Sequence, residues 1–203
     1  MQAIGTNQNA ETIPLYGADG ISALIDGSTG FQIESTDVAE SNLSNALTYS
    51  IKHPLTYIIS ANQSPYDWYT SNISNQNNFL WCERFQGKGV YDPCPEGWQV
   101  SSNGTWNDFT TESTLYYIEG AQTSTGNTTV TNGILYKGIV WYPTPGRREF
   151  INGHLSYTGN SIFSWSSTCS GVSARNFYGY MGGITLSISF GRSNGFSVRC
   201  VQE

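Results

Sequence analysis

Turn punctuation sets the scale of what this chain can build. From Trp81 onward Gly87, Gly89, Pro93, Pro95, Gly97 and Gly104 follow one another closely, and inside a helix Gly costs about 1 kcal/mol and Pro about 3 kcal/mol relative to Ala. Apolar residues therefore gather in short strand-like runs: Ile134-Leu135-Tyr136, Ile139 to Tyr142, Ile184 to Phe190 and Phe196 to Val201. The best helix signal runs from Thr105 to Tyr117, where Thr105 fits an N-cap and Trp106, Phe109 and Leu115 turn inward. It is weakened by its β-branched threonines. Tyr49-Ser50-Ile51 and Tyr57-Ile58-Ile59 read as strand segments on either side of a break at Pro54. One or two helices early and many short strands late make an α+β layout.

Residues 1–45 are polar and rich in Gly, Ser and Asn, with one apolar patch at Ile21, Leu24 and Ile25, and read as an N-terminal arm or linker. Residues 46–203 read as one domain. Only 12% of residues are charged, with a net charge of −6, which argues against nucleic acid or an anionic membrane as partner because both attract basic patches. The surface must then be built from small polar residues and from aromatics. Six Trp and 13 Tyr supply rigid, amphipathic contact area at low entropic cost, although β-rich domains are also simply rich in these residues.

Cys82, Cys94, Cys169 and Cys200 form an even set without a CxxC pair, which points away from zinc and toward disulfides. Oxidised cysteines imply an extracytoplasmic compartment. Met1 to Gly5 has neither the basic nor the apolar region of a signal peptide, so the chain reads as a fragment or a mature form. No apolar run is long enough to span a bilayer.

Asp92-Pro93-Cys94-Pro95-Glu96-Gly97-Trp98, followed by Trp106, resembles the opening of the major paralogous domain (FISUMP) family. The resemblance continues in order through Trp141-Tyr142-Pro143, Gly146-Arg147-Arg148, Gly153, Leu155, Gly159 and Trp165-Ser166-Ser167, and ends at Gly195-Phe196-Ser197-Val198-Arg199-Cys200-Val201. It implies a C-type-lectin-like fold related to formylglycine-generating enzymes, with short twisted antiparallel sheets, one or two helices and long ordered loops. It also implies the setting of such domains: surface or pilus-tip proteins of gut anaerobes, or variable proteins of diversity-generating retroelements. In that arrangement Cys94, ahead of the Gly-Trp strand, and Cys200, in the final strand, bring two chain ends into one sheet. Their bridge closes a loop of about a hundred residues and contributes on the order of 4 kcal/mol. Cys82 and Cys169 are the remaining pair, outside the family pattern, and that bridge is lost if Cys169 belongs to a diversified region. Trp98, Trp141 and Trp165 are expected as core pillars.

Catalytic alternatives lack their reagents. Trp106-Asn107-Asp108 matches part of a calcium-lectin motif, but it sits too early and no Pro-centred carboxamide loop precedes it. Between Trp141 and Cys200 the one acidic residue is Glu149, whereas a calcium cage needs several convergent oxygens. The enzyme branch of the superfold uses a late cysteine pair, and Cys200 is assigned to a structural bridge. His53 and His154 stand outside any catalytic motif and read as surface residues. No cofactor, metal or catalytic residue is therefore expected.

What is left is binding. The segments Arg147 to Ser164 and Ala174 to Gly191 mix Arg, aromatic residues, His and Ile with small polar residues. If adenines of Asn-type codons are randomised, the final pyrimidine excludes Lys, Glu, Gln, Met and Trp, so Glu149 and Met181 are expected to be fixed. The expected ligand contacts are Arg147, Phe150, His154, Tyr157, Phe163, Arg175, Tyr178, Tyr180, Ile188 and Phe190. Alternation places Ile184, Leu186, Ile188 and Phe190 on one half-buried face, whereas the resemblance exposes Ile188 and Phe190, and the second reading is adopted. The expected role is an adhesin-type domain at a cell surface that takes a protein or glycan ligand, with a phage receptor-binding protein as the alternative.

Overall fold

A computed structural model describes residues 32–35, 38–54, 56–60, 64–81, 87–118, 121–123, 133–180 and 182–203. The chain is mixed α+β. A parallel pair, β1 (Gln32–Ser35) and β2 (Thr56–Ile59), brackets α1 (Leu43–Lys52). Next come β3 (Trp98–Val100) and an antiparallel sheet ordered β5-β4-β6-β7, from β4 (Thr114–Ile118), β5 (Ala121–Thr123), β6 (Gly133–Tyr136) and β7 (Val140–Pro143). A short pair, β8 (Arg147–Arg148) and β9 (Leu155–Ser156), leads into β10 (Ser161–Ser170), β11 (Ser173–Tyr180) and β12 (Gly183–Phe190). β13 (Ser197–Val198) adds parallel to β10, giving the order β12-β11-β10-β13, and β14 (Cys200–Gln202) returns to β3.

Two expectations for the early elements are corrected. Tyr49-Ser50-Ile51 lies in α1, which buries Ala46 and ends where the His53 N–H bonds the Tyr49 carbonyl at 2.9 Å, one residue before Pro54. The stretch from Thr105 to Tyr117 is not a helix. It holds a 3-10 turn, Asn103–Trp106, and then β4. Local hydroxyls divert it: the Thr110 N–H donates to Ser113 Oγ (2.8 Å), the Ser113 N–H to Thr110 Oγ1 (3.1 Å), and Thr114 Oγ1 to the Thr110 carbonyl (2.7 Å). Such bonds satisfy the backbone outside a helix.

The main core lies between the β5-β4-β6-β7 sheet and one face of β10–β12. Trp106, Phe109, Ile134, Ile162 and Phe177 pack together with Tyr136, Tyr142, Ile184 and Leu186 against them. Trp106 stacks on Phe177 at 5.2 Å, and Phe109 on Tyr136 at 4.1 Å. Of the three expected tryptophan pillars, Trp165 is buried at 6% exposure, but Trp98 is 45% and Trp141 37% exposed. Both lie on short outer strands whose neighbours leave one ring face in water. The fully buried tryptophan is Trp106, carried inward by the 3-10 turn.

The ends of the C-terminal module meet as expected. Cys94 and Cys200 are bridged, and β14 pairs with β3 through Cys200–Val100, Val201–Gln99 and Gln202–Trp98. A partly buried ion pair reinforces this corner. Asp92 accepts from the Cys94 N–H and from Lys88 Nζ through Oδ1, and from the Val100 N–H through Oδ2, each at 2.8 Å. Lys88 Nζ also donates to the Cys94 (2.6 Å) and Trp98 (2.9 Å) carbonyls. Cys82 lies outside the described residues, so its pairing with Cys169 goes undescribed.

Part of the stretch expected as an arm is among the described residues: β1 pairs with β2, and α1 begins at Leu43. Residue 45 falls inside α1, and residues 1–31 lie outside the described residues. The Tyr57 hydroxyl of β2 donates to the Ser193 carbonyl, and the Arg148 guanidinium sits over its ring at 5.7 Å. Gly153, with φ +68°, is pressed so closely on Ile33 that a Cβ would come within 2.7 Å of it.

Replacing Cys94 and Cys200 together by Ser is expected to lower stability by about 4 kcal/mol, because the bridge closes a loop of more than a hundred residues; urea denaturation of the variant against wild type measures it. Burial by itself raises the Asp92 pKa, but the hydrogen bonds from Lys88, Val100 and Cys94 outweigh it and hold the carboxyl below its ordinary 3.8. Its stabilisation is full above that value and drains away as pH falls through the lower native pKa. Asp92→Asn is expected to cost about 2 kcal/mol at neutral pH and to flatten the acid limb of a stability-against-pH curve.

Candidate functional site

The two faces of β10 and β11 carry different chemistry. Cross-strand partners share a face, so Ile162 with Gly179 and Ser164 with Phe177 point to the main core. Ser161 with Tyr180, Phe163 with Tyr178, and Trp165 with Asn176 point the other way. On this second face the rings form a continuous row: Tyr180 stacks on Tyr178 (5.3 Å), Tyr178 on Phe163 (4.8 Å), Phe163 meets Phe196 (5.0 Å), and Phe196 stacks on Trp165 (4.2 Å).

β12 joins this face through one extra residue. Asn176 pairs with Ile188 and Tyr178 with Thr185, so two residues of β11 span three of β12. That bulge moves the following residues to the other face. Ile184 and Leu186 go to the main core, whereas Ile188 and Phe190 share the face of Asn176 and Ala174. Neither simple alternation nor uniform exposure describes the strand. Phe190 meets Phe163 edge-on at 6.2 Å and Phe196 at 5.5 Å.

Arg147 of β8 lies over the centre of the row. Its guanidinium carbon is 5.3 Å from the Tyr157 ring centroid, 5.1 Å from Phe163 and 5.4 Å from Phe190, within cation–π range. Glu149 holds it there: Nε (3.1 Å) and Nη2 (2.9 Å) donate to Oε1, and Nη2 also donates to Oε2 (3.2 Å). Gly146 makes this approach possible, since at φ +70° a Cβ would lie 2.3 Å from the Ser156 carbonyl oxygen. Tyr157 itself has φ +59° and is 43% exposed. Burial holds the Tyr178 phenol above its ordinary pKa, against the opposing effects of Ser161 and Arg147, so Tyr178 stays a neutral hydroxyl at physiological pH.

The ten expected contacts therefore divide. Arg147, Tyr157, Tyr178, Tyr180 and Phe190 converge on one face, with Ile188 beside them by register. Phe163 belongs to the same cluster but is only 3% exposed; it is the floor of the face and not a contact surface, because rings and the Arg147 guanidinium cover it. Three residues lie elsewhere. Arg175 projects from the opposite side of β11 and donates to Ser187 Oγ at 3.2 Å. Phe150 packs edge-on against Tyr66 at 5.3 Å, and His154 is exposed in the turn between β8 and β9. Sequence reasoning missed Glu149 and Phe196 as parts of the site, although the GFSVRC motif and an acidic residue two positions after Arg147 were available signals.

No group of three or more His, Cys, Asp or Glu able to hold a metal ion occurs among the described residues, and none of their helices is long and apolar enough to cross a membrane. The floor and rim of the face are expected to respond differently to truncation. Phe163→Ala should cost about 3–5 kcal/mol, whereas Tyr157→Asn, which suits the left-handed backbone there, should cost under about 1 kcal/mol; chemical denaturation of the two variants distinguishes them. The chain matches no protein-family profile, no curated protein and no solved structure.

Proposed function

We propose that the chain is a ligand-binding domain of the adhesin type, C-type-lectin-like in architecture, displayed outside the cell. The observation that carries this reading is the placement of Arg147 over Tyr157, Phe163 and Phe190, beside the Tyr178–Tyr180 stack. Tyr and Arg are the residue types that dominate binding hot spots. Here Arg147, Tyr178 and Tyr180 stand on paired strands and Tyr157 directly follows β9, so little side-chain entropy is lost when a ligand is met.

The disulfide supports an extracytoplasmic location. It also occupies Cys200, one of the two late cysteines that thiol chemistry of the related enzyme branch would call upon. A face of phenol rings and hydroxyls around one Glu-paired guanidinium suits a protein surface with exposed backbone carbonyls and aromatic or aliphatic side chains. Diversification fits the same layout: Tyr157, Tyr178, Tyr180, Ile188 and Phe190 satisfy the codon rule and rest on a buried floor. Glu149, which the rule excludes from variation, is the residue that fixes Arg147.

Screening the folded chain against arrays of extracellular proteins and glycans tests this reading. A Tyr157→Asn, Tyr180→Ala double variant is expected to lose roughly a hundredfold in affinity for any partner recovered, with its thermal midpoint close to wild type. Partner binding that is indifferent to both changes would remove the face from the proposal.

A further inference from the structure

The aromatic row that Arg147 covers leads into a cleft. Trp165, its last ring, stacks on Phe196 and also lines a concavity of about 540 Å³ between residues 67–81 and the far half of β10, within the usual range for binding pockets. Ala174 of β11, two residues from Asn176 and on the same face, lines it too. The rim and the cleft therefore lie over one side of one sheet. From Arg147 the path is 5.1 Å to the Phe163 ring, 5.0 Å on to Phe196 and 4.2 Å on to Trp165. A standard interface covers roughly 800 Å² of each partner, which is wide enough to span both.

The walls of the cleft are apolar. Leu47, Trp68, Leu80, Trp81, Tyr91 and Trp165 line it, and of these Leu47, Leu80 and Tyr91 are exposed. Ile51, one helical turn after Leu47 on the same side of α1, is exposed as well. Large apolar side chains left in water around a concavity mark an interaction site. The two charged lining residues are already engaged with the protein. Asp67 accepts from the Tyr69 N–H (2.8 Å) and from Gln76 Nε2 (2.9 Å), while Arg192 Nη2 donates to the Gly171 carbonyl (3.0 Å) and to the Asn78 side-chain oxygen.

We propose that this cleft is the socket for a short apolar segment of the same protein partner that meets the Arg147 face. The inference rests on the adhesin reading and adds to it what the partner must carry: aromatic or aliphatic side chains beside the surface that Arg147 and the tyrosines grip. Rings and aliphatic walls suit such side chains. The lip suits a peptide backbone. Asn77, exposed there, uses Oδ1 to accept from the Phe79 N–H at 2.8 Å, and its Nδ2 has no partner among the described residues, so it can donate to a peptide carbonyl. An acyl chain would make no use of that donor.

The test has two arms. In the first, N-acetyl-leucyl-tryptophan amide, a diacidic dipeptide amide and decanoate are titrated into the folded chain by calorimetry. The apolar dipeptide is expected to bind below about 10 mM; Leu47→Asp and Tyr91→Ala, both at exposed positions, should each weaken it about tenfold, and Tyr157→Asn should leave it unchanged. No binding of the apolar dipeptide, equal binding of the diacidic one, or indifference to both cleft variants overturns the proposal. So does preference for decanoate, which would assign the cleft to an acyl chain, or loss of dipeptide binding in Tyr157→Asn, which would move the probe to the rim. In the second arm, a protein recovered on the Arg147 face is expected to lose about a hundredfold in affinity for the Leu47→Asp, Tyr91→Ala double variant. A partner that is sensitive to Tyr157→Asn with Tyr180→Ala but indifferent to that double variant would overturn the socket and leave the Arg147 reading standing.

Discussion

Six consecutive residues of β10, Ser161 to Ser166, are buried, and this one constraint organises the molecule. A strand sealed on both faces needs two covers. Ile162 requires an apolar layer on one side, which Trp106, Phe109 and Ile134 supply. Phe163 and Trp165 require another on the opposite side, which Phe196, Phe190 and the Arg147 guanidinium supply. The second cover is thinner and includes a charged group, so its outer edge stays in water. That edge is where recognition chemistry can sit.

The corner formed by Cys94, Cys200, Asp92 and Lys88 lets so thin a cover hold. It clamps β14 to β3 immediately after the Phe196 turn, and the Asp92 carboxylate satisfies two backbone N–H groups that would otherwise be buried unpaired. On the other flank, Arg148 answers the Gly153 carbonyl and the Tyr57 ring, while its neighbour Arg147 faces the aromatic row. Two adjacent arginines on one two-residue strand thus serve two different sheets: Arg148 meets Tyr57 of β2, and Arg147 covers Phe163 of β10.

Much of this was legible in the residues, and the failures have physical causes. The Cys94–Cys200 bridge and the later strand runs followed from motif order and punctuation. The split of β12 was not legible, because Ile184, Leu186, Ile188 and Phe190 alternate perfectly and nothing in that pattern marks the extra residue that turns half of them over. Trp98 and Trp141 sit within strand-like strings yet lie on narrow outer strands, where a large ring is not covered on both sides. Trp106 was placed inward for the wrong reason, since a 3-10 turn and not a helix carries it.

Side-chain reactivity in the folded chain probes the two-cover arrangement directly. Hydroxyl-radical footprinting in native buffer should label Tyr157 and Tyr91 readily while sparing Trp106, Phe163 and Phe177 until denaturant unfolds the chain. Native-state labelling of Phe163 on a par with Tyr157, or protection of Tyr157 alongside Trp106, would contradict a buried floor with a solvent-facing aromatic rim.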